Sequence, residues 1–132
     1  MSIATLDYFA ILTATVISMI VGTIWYTALG RFWLRAVGLA EDQARQRASD
    51  IVIAFLAEFI MATIFAVLLA HFDGYTLLDA ITAALFLWLG FVMTTVIVNA
   101  RFQGRSWDLP LIDGGHWLLV LLAQGAVFGA FR

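Results

Sequence analysis

The chain has 132 residues, of which 64% are hydrophobic and only 12% are charged. Soluble domains are about 45–50% apolar and about 25% charged, so this chain lacks the polar side chains that a water-facing surface needs. A net charge of −2 excludes the basic footprint of a nucleic-acid-binding protein, and the lack of cysteine excludes disulfides, thiolate catalysis and Cys-based metal sites.

A helix that crosses a bilayer needs about 20 mostly apolar residues. Four segments approach or meet that length: residues 4–28, 51–70, 76–98 and 115–131. They are too long and too continuous for barrel strands, so the fold class is all-α: an integral membrane four-helix bundle forming one membrane domain over residues 1–132. No basic residue precedes the first apolar run, which is longer than a signal-peptide core, and this span is expected to remain in the mature protein.

The connections differ in chemistry. Residues 29–38 read as a short interfacial amphipathic helix, with Leu29, Phe32, Trp33, Ala36 and Val37 on one face and Arg31 and Arg35 on the other. Gly38 is the expected stop. The polar stretch 41–50 follows, with Glu41 and Arg45 spaced as an i,i+4 pair. A tight turn around Asp73-Gly74 should make the second and third spans antiparallel neighbours. The third connection, residues 99–114, carries Gly104, Pro110 and Gly114, and the fourth span is the shortest.

Arginine sets the expected orientation. Arg31, Arg35, Arg45 and Arg47 lie in the first connection and Arg101 and Arg105 in the third, against Arg132 on the opposite side. Positive residues favour the cytoplasm, which places both termini in the periplasm of a bacterial inner membrane. Trp25, Tyr26, Trp33, Trp107 and Trp117 read as the cytoplasmic aromatic belt, with Tyr8 and Tyr75 near the other boundary. Arg31, Arg35, Arg101 and Arg105 offer an anionic lipid headgroup a joint site, although topology alone explains them.

Lipid tails are as apolar as leucine, so helices in a bilayer associate through close contact of small residues. The first span has Ala10, Ala14, Ser18 and Gly22 at four-residue steps, and the second has Ala54, Glu58, Ala62, Ala66 and Ala70. The fourth has Gly125 and Gly129, and the third has Ala83 and Gly90. These stripes read first as internal seams. A sharper reading makes the Gly125/Gly129 face a homodimer contact or a dock for a larger membrane complex.

Glu58 is the most informative residue. A charge at mid-membrane costs about 2.5–3.5 kcal/mol on insertion scales, so a carboxyl there needs a reason. Matching depths place Thr23 or Tyr26, Thr94, Trp88 and Gln124 near it, with a hydrogen bond from Tyr26 as one expectation. The preferred reading is a hydrogen-bonded carboxyl joining helices. The functional reading is a proton, cation or ligand site. Gln124 carries the same two readings. Asp7 and Asp79 read mainly as helix caps. His71 and His116 are expected on opposite membrane faces, so no shared metal site is expected, and neither a cofactor nor a catalytic constellation is evident.

Several short segments together resemble a known family. They are Gly22-Thr23-Ile24-Trp25-Tyr26, then Phe32-Trp33, then Val37-Gly38-Leu39-Ala40-Glu41-Asp42, with the later Trp88-Leu89-Gly90-Phe91 and Gly114-Gly115-His116-Trp117. The pattern is similar to the bacterial family named domain of unknown function 1761, whose members are small four-span membrane proteins. The resemblance implies topology, and it implies no activity, cofactor or catalytic residue.

Two functions of different class follow. The leading expectation is a non-catalytic accessory or scaffold subunit, a homo-oligomer or part of a larger complex, acting through helix association. The alternative is a small oligomeric transporter or channel with Glu58 as an ion- or proton-coupled site. A membrane enzyme ranks third.

Overall fold

A computed structural model describes residues 5–132. The expected start of the first span at residue 4 lies outside the described residues. Four helices are long and apolar enough to cross a membrane: α1 Tyr8–Val37, α2 Ala48–Leu69, α3 Leu77–Phe102 and α4 Asp108–Phe131. No strand occurs among the described residues.

α1 begins where the Asp7 carboxylate accepts the Ala10 N–H at 3.0 Å, a standard N-cap contact. It runs unbroken for 30 residues to Val37, about 45 Å at 1.5 Å per residue. The separate interfacial helix expected at 29–38 is therefore corrected: these residues are the last turns of α1. No proline interrupts them, and Gly30 alone does not break a helix that is held elsewhere. Their apolar face is used for packing, since Ala36 is buried against Ala100 and Leu109, with Trp33 and Val37 alongside. Gly38 ends the helix as expected, in the left-handed region at φ 75°.

α2 follows a short 3₁₀ turn at Glu41–Gln43 and buries Glu58, Ala62, Phe65 and Leu69. α3 starts at a reciprocal cap, with Thr76 N–H on the Asp79 carboxylate at 2.7 Å and Asp79 N–H on the Thr76 hydroxyl at 3.2 Å. It is α-helical over Leu77–Leu87 and Thr94–Phe102, with a six-residue π-helical insert at Trp88–Met93.

α4 begins at Asp108, well before the expected residue 115. Residues 108–114 read as loop in the sequence because they hold Pro110 and glycines. Pro110 falls in the first turn, where its missing N–H has no intrahelical partner to lose. Gly114 and Gly115 sit within the helix, for a packing reason given below.

α4 is the centre of the bundle, with 44% of its apolar window buried against 28% for α1, 17% for α2 and 6% for α3. α1 and α3 pack on α4, and α2 packs mainly on α1. α2 and α3 barely touch, although only residues 70–76 join them. This corrects the expectation that the turn makes them packed neighbours. Seven residues reach roughly 23 Å when extended, about two helix diameters, so the turn imposes direction without imposing contact.

The two ends of the bundle are chemically distinct. At the turn end, Arg132 donates to the Tyr75 carbonyl at 2.8 Å and Phe9 meets Phe131 at 5.7 Å. At the arginine end, Arg105 donates to the Val37 carbonyl at 2.9 Å. The outer faces carry large exposed side chains such as Leu78, Phe86 and Phe91. A water-facing surface does not tolerate such area, whereas hydrocarbon solvates it.

Candidate functional site

The small-residue seams determine what else lies inside the bundle. A Cβ on Gly125 would stand 2.9 Å from the Ala80 carbonyl oxygen, and one on Gly129 would stand 2.8 Å from the Leu77 Cα. The Gly125/Gly129 face thus seats α3 within the same chain. Ala10, Ala14, Ser18 and Ala62 are buried, and Ala66 is half-buried against the same core.

Polar groups lie within these seams at two levels. At the first, Glu58 is ten residues into α2, about 15 Å along the axis and near the middle of a hydrocarbon layer about 30 Å thick. It is 4% exposed, and its Oε2 has no hydrogen-bond partner among the described residues. Gln124 of α4 is fully buried and donates from Nε2 to the Ser18 hydroxyl of α1 at 3.1 Å. The Ser18 hydroxyl donates a hydrogen bond to the Ala14 carbonyl at 2.8 Å, and Gln124 Oε1 is unpartnered.

The other residues expected around Glu58 have their polar groups engaged elsewhere. Thr94 is exposed, and its hydroxyl turns back to the Gly90 carbonyl at 2.9 Å. That local bond is open to any helical threonine. Trp88 donates from its indole to the Gly114 carbonyl at 2.7 Å. The expected Tyr26–Glu58 bond is corrected: the Tyr26 hydroxyl donates to Asp113 Oδ1 at 2.7 Å.

That contact belongs to the second level, nearer the arginine end. Asp113 and His116 stand one turn apart on α4. The His116 ring centroid is 5.0 Å from Tyr26 and 4.6 Å from Trp117. His116 is 5% exposed and its Nδ1 is unpartnered. It approaches α1 so closely that a Cβ on Gly22 would lie 2.9 Å from its Nε2. Trp25, expected as an interfacial anchor, instead donates to the Ile112 carbonyl at 2.9 Å. The two glycines of α4 make room for this, since a Cβ on Gly115 would stand 2.8 Å from Trp25 Cζ2 and one on Gly114 would meet Met93. Trp88 and Met93 bound the π-helical insert of α3, so the insert spans the segment that presses on Gly114. Inserts of this kind are frequent at functional sites.

Asp113 was missed because Asp-Gly-Gly reads as a turn. A helical period extended backward from Gln124 through Val120 and His116 reaches it and would have placed it on the inner face.

The arginines serve the local structure. Arg105 caps the end of α1 through Val37. Arg101 donates to the Arg105 carbonyl at 2.8 Å and lies over Trp107 at 5.0 Å. Arg35 lies over Phe32 at 5.8 Å, and Arg31 faces Glu41 at 3.8 Å with both side chains solvated. An exposed pair of this kind contributes little stability. None of these contacts gathers the four guanidiniums into one anion site.

Over residues 9–129 the chain matches the family described as protein of unknown function (DUF1761). The chain belongs to this family. The match takes in almost all of the four helices and both polar levels. No curated protein and no solved structure matches significantly. The family description carries no activity, so the reading of function rests on the geometry of the two levels.

Removing the Tyr26 hydroxyl tests the second level. Tyr26→Phe leaves a half-buried carboxyl without its phenolic donor, at an expected cost of about 1–3 kcal/mol. The drop should appear in the midpoint of unfolding in mixed detergent and SDS. Tyr26→Phe combined with Asp113→Leu should recover part of it, because the carboxyl is then gone and only the part-exposed Trp33 indole loses its acceptor.

Proposed function

We propose that this protein moves protons across the membrane, with the Glu58 carboxyl as the group that takes up and releases the proton. The observation that carries this reading is the position of Glu58: mid-helix in α2, 4% exposed, with an oxygen that no described residue satisfies. A carboxyl with a purely joining role spends its lone pairs on neighbouring helices. Here Ser18 and Gln124 bond to each other instead. An ionisable residue inside a membrane segment is by default a candidate for function, because its insertion is costly.

The alternative, an accessory subunit acting through helix association, drew on the small-residue faces. The faces of α1, α2 and α4 are used inside the chain, which weakens that reading, while Gly90 of α3 faces outward with nothing within 4 Å of an added Cβ. The arginine-rich end is read as cytoplasmic and the turn end, with both termini, as periplasmic, following the distribution of positive charge. Uptake and release of a proton need no catalytic constellation, and no enzymatic role is proposed.

The test is proton flux in liposomes under an imposed potential, read by an internal pH dye. Wild-type protein should dissipate the gradient, and Glu58→Gln should reduce the rate at least tenfold while keeping the same unfolding midpoint. Equal flux from Glu58→Gln and wild type would overturn the reading.

A further inference from the structure

Ser18, Glu58 and Gln124 meet at one level of the bundle. α1 and α2 run antiparallel, and Asp7 and Ala10 line one small cavity with Ala66 and Ala70. Continued in four-residue steps, that register brings Ala14 to Ala62, both 0% exposed, and then Ser18 to Glu58. α2 and α4 run in the same direction, and Phe65 meets Phe128. Seven residues back along each puts Leu121 at the level of Glu58. His116 lies against Gly22 of α1, so Val120, one turn on, stands at the level of Ser18. Helical side chains lean toward the N-terminus of their helix. Gln124 therefore reaches back to this level, where its Nε2 meets the Ser18 hydroxyl at 3.1 Å.

Two oxygens here have no hydrogen-bond partner among the described residues: Glu58 Oε2 and Gln124 Oε1. Glu58 is 4% exposed, Gln124 is fully buried, and Val120 and Leu121 beside them are apolar. The buried hydroxyls nearby supply no donor, since Ser18 donates to the Ala14 carbonyl and Thr15 to the Ile11 carbonyl. An amide with its N–H on Ser18 and its oxygen free is complementary to a group that brings its own hydrogen. Protonated Glu58 is such a group. When Glu58 loses that proton, the amide has a second satisfied arrangement. Turned by half a rotation, it donates from Nε2 to the Glu58 carboxylate and accepts the Ser18 hydroxyl on Oε1. A buried polar group without a partner is costly, and a buried charge more so. An amide carries donor and acceptor on one rotor and can serve both states.

We infer that Gln124, oriented by Ser18, is the positioning residue of the Glu58 proton site: it accepts from the acid, donates to the carboxylate, and turns between the two as the proton comes and goes. This rests on the reading of Glu58 as the proton carrier and adds the group that stabilises both of its states inside the membrane. Only the Glu58 proton moves, exchanged with solvent, while Gln124 and Ser18 keep their own. The other titratable side chains lie at least one turn away. His116 is at Gly22, and beyond it Tyr26 and Asp113 bond each other. α2 has no other between Asp50 and His71, and α3 has none between Asp79 and Arg101. Toward the turn end, α1 and α4 carry none before Tyr8 and Arg132.

Infrared difference spectra of the protein in liposomes, acid minus alkaline, test the inference. The wild type should show a protonated-carboxyl C=O band that Glu58→Gln removes, with a side-chain amide change that Gln124→Met removes. In Gln124→Met, which keeps the length of the side chain, the Glu58 band should move to higher frequency because its O–H has lost an acceptor. Proton flux should fall about tenfold, the equivalent of one buried hydrogen bond. Ser18→Ala keeps the seam and the Glu58–Gln124 bond, so the band should stay in place and flux should slow less. A Glu58 band at its wild-type frequency in Gln124→Met, or undiminished flux in that variant, overturns the inference. If Glu58→Gln abolishes flux while the band ignores Gln124→Met, the partner falls and the carrier stands. A shifted band with flux unaffected by Glu58→Gln is the converse.

Discussion

Replacing Gly125 by leucine is expected to prevent α3 from seating on α4, giving the largest stability loss of any single substitution considered. Even a Cβ at this position would stand 2.9 Å from the Ala80 carbonyl oxygen and 3.3 Å from its carbon. Both atoms are helix backbone and have no rotamer to change, so a branched side chain must displace α3 bodily. Overpacking by a few methylenes commonly costs about 1–3 kcal/mol, and several carbons against backbone should exceed about 3 kcal/mol. A bilayer adds no hydrophobic drive to re-close the separated helices, because lipid tails solvate the opened faces as well as leucine does. Gly125→Leu should therefore not give folded protein in mild detergent, or should unfold at a far lower SDS fraction. Ala126→Leu, one residue along and exposed, should behave as wild type. Equal stability of the two variants would show that the α3–α4 seam does not close as described.

Phe65→Ala should have the second largest effect. Phe65 is 1% exposed and meets Phe128 edge to face, with centroids 5.7 Å apart at 90°. It carries a ring contact from α2 to α4, two helices whose backbones scarcely approach each other. In water a Phe→Ala change costs about 3–5 kcal/mol, as a transfer term plus a cavity term. In lipid the transfer term largely disappears, and the cavity term and lost ring contacts remain, about 2–3 kcal/mol at roughly 24 cal/mol per Å³. Equilibrium unfolding in mixed micelles measures it. Phe65→Leu, which fills much of the same space, should recover more than half. A loss below about 1 kcal/mol would mean that α2 is held by α1 alone.

Much of the architecture was legible from composition and run length. Asp7, Gly38 and Thr76 marked helix ends through local chemistry that tertiary packing did not override. Where punctuation was ambiguous, packing decided. Residues 29–38 suggested a separate interfacial helix and proved to be the last turns of α1, and Pro110 with Gly114-Gly115 suggested a loop and proved to be the start of α4. The glycines there admit Trp25 and Met93 against the helix, a requirement visible only from the partner helices.

The candidate site was partly legible for a related reason. Glu58 stood out because a lone acid in a long apolar run is costly whatever its neighbours are. Position along a span fixes a residue's depth, and depth does not specify azimuth. Thr94 lies at a plausible depth and faces outward, while Ser18, assigned to packing, turned out to hold Gln124.

Composition by itself settled that hydrocarbon solvates this chain as four helices, because the balance of apolar and charged side chains does not depend on how helices meet. The tertiary structure alone decided that α4 is central, that α2 and α3 part after their turn, and that Tyr26 serves Asp113 and not Glu58. The reason is that small and aromatic residues acquire a partner only when two backbones approach, and which backbones approach is a property of the whole bundle rather than of any one segment.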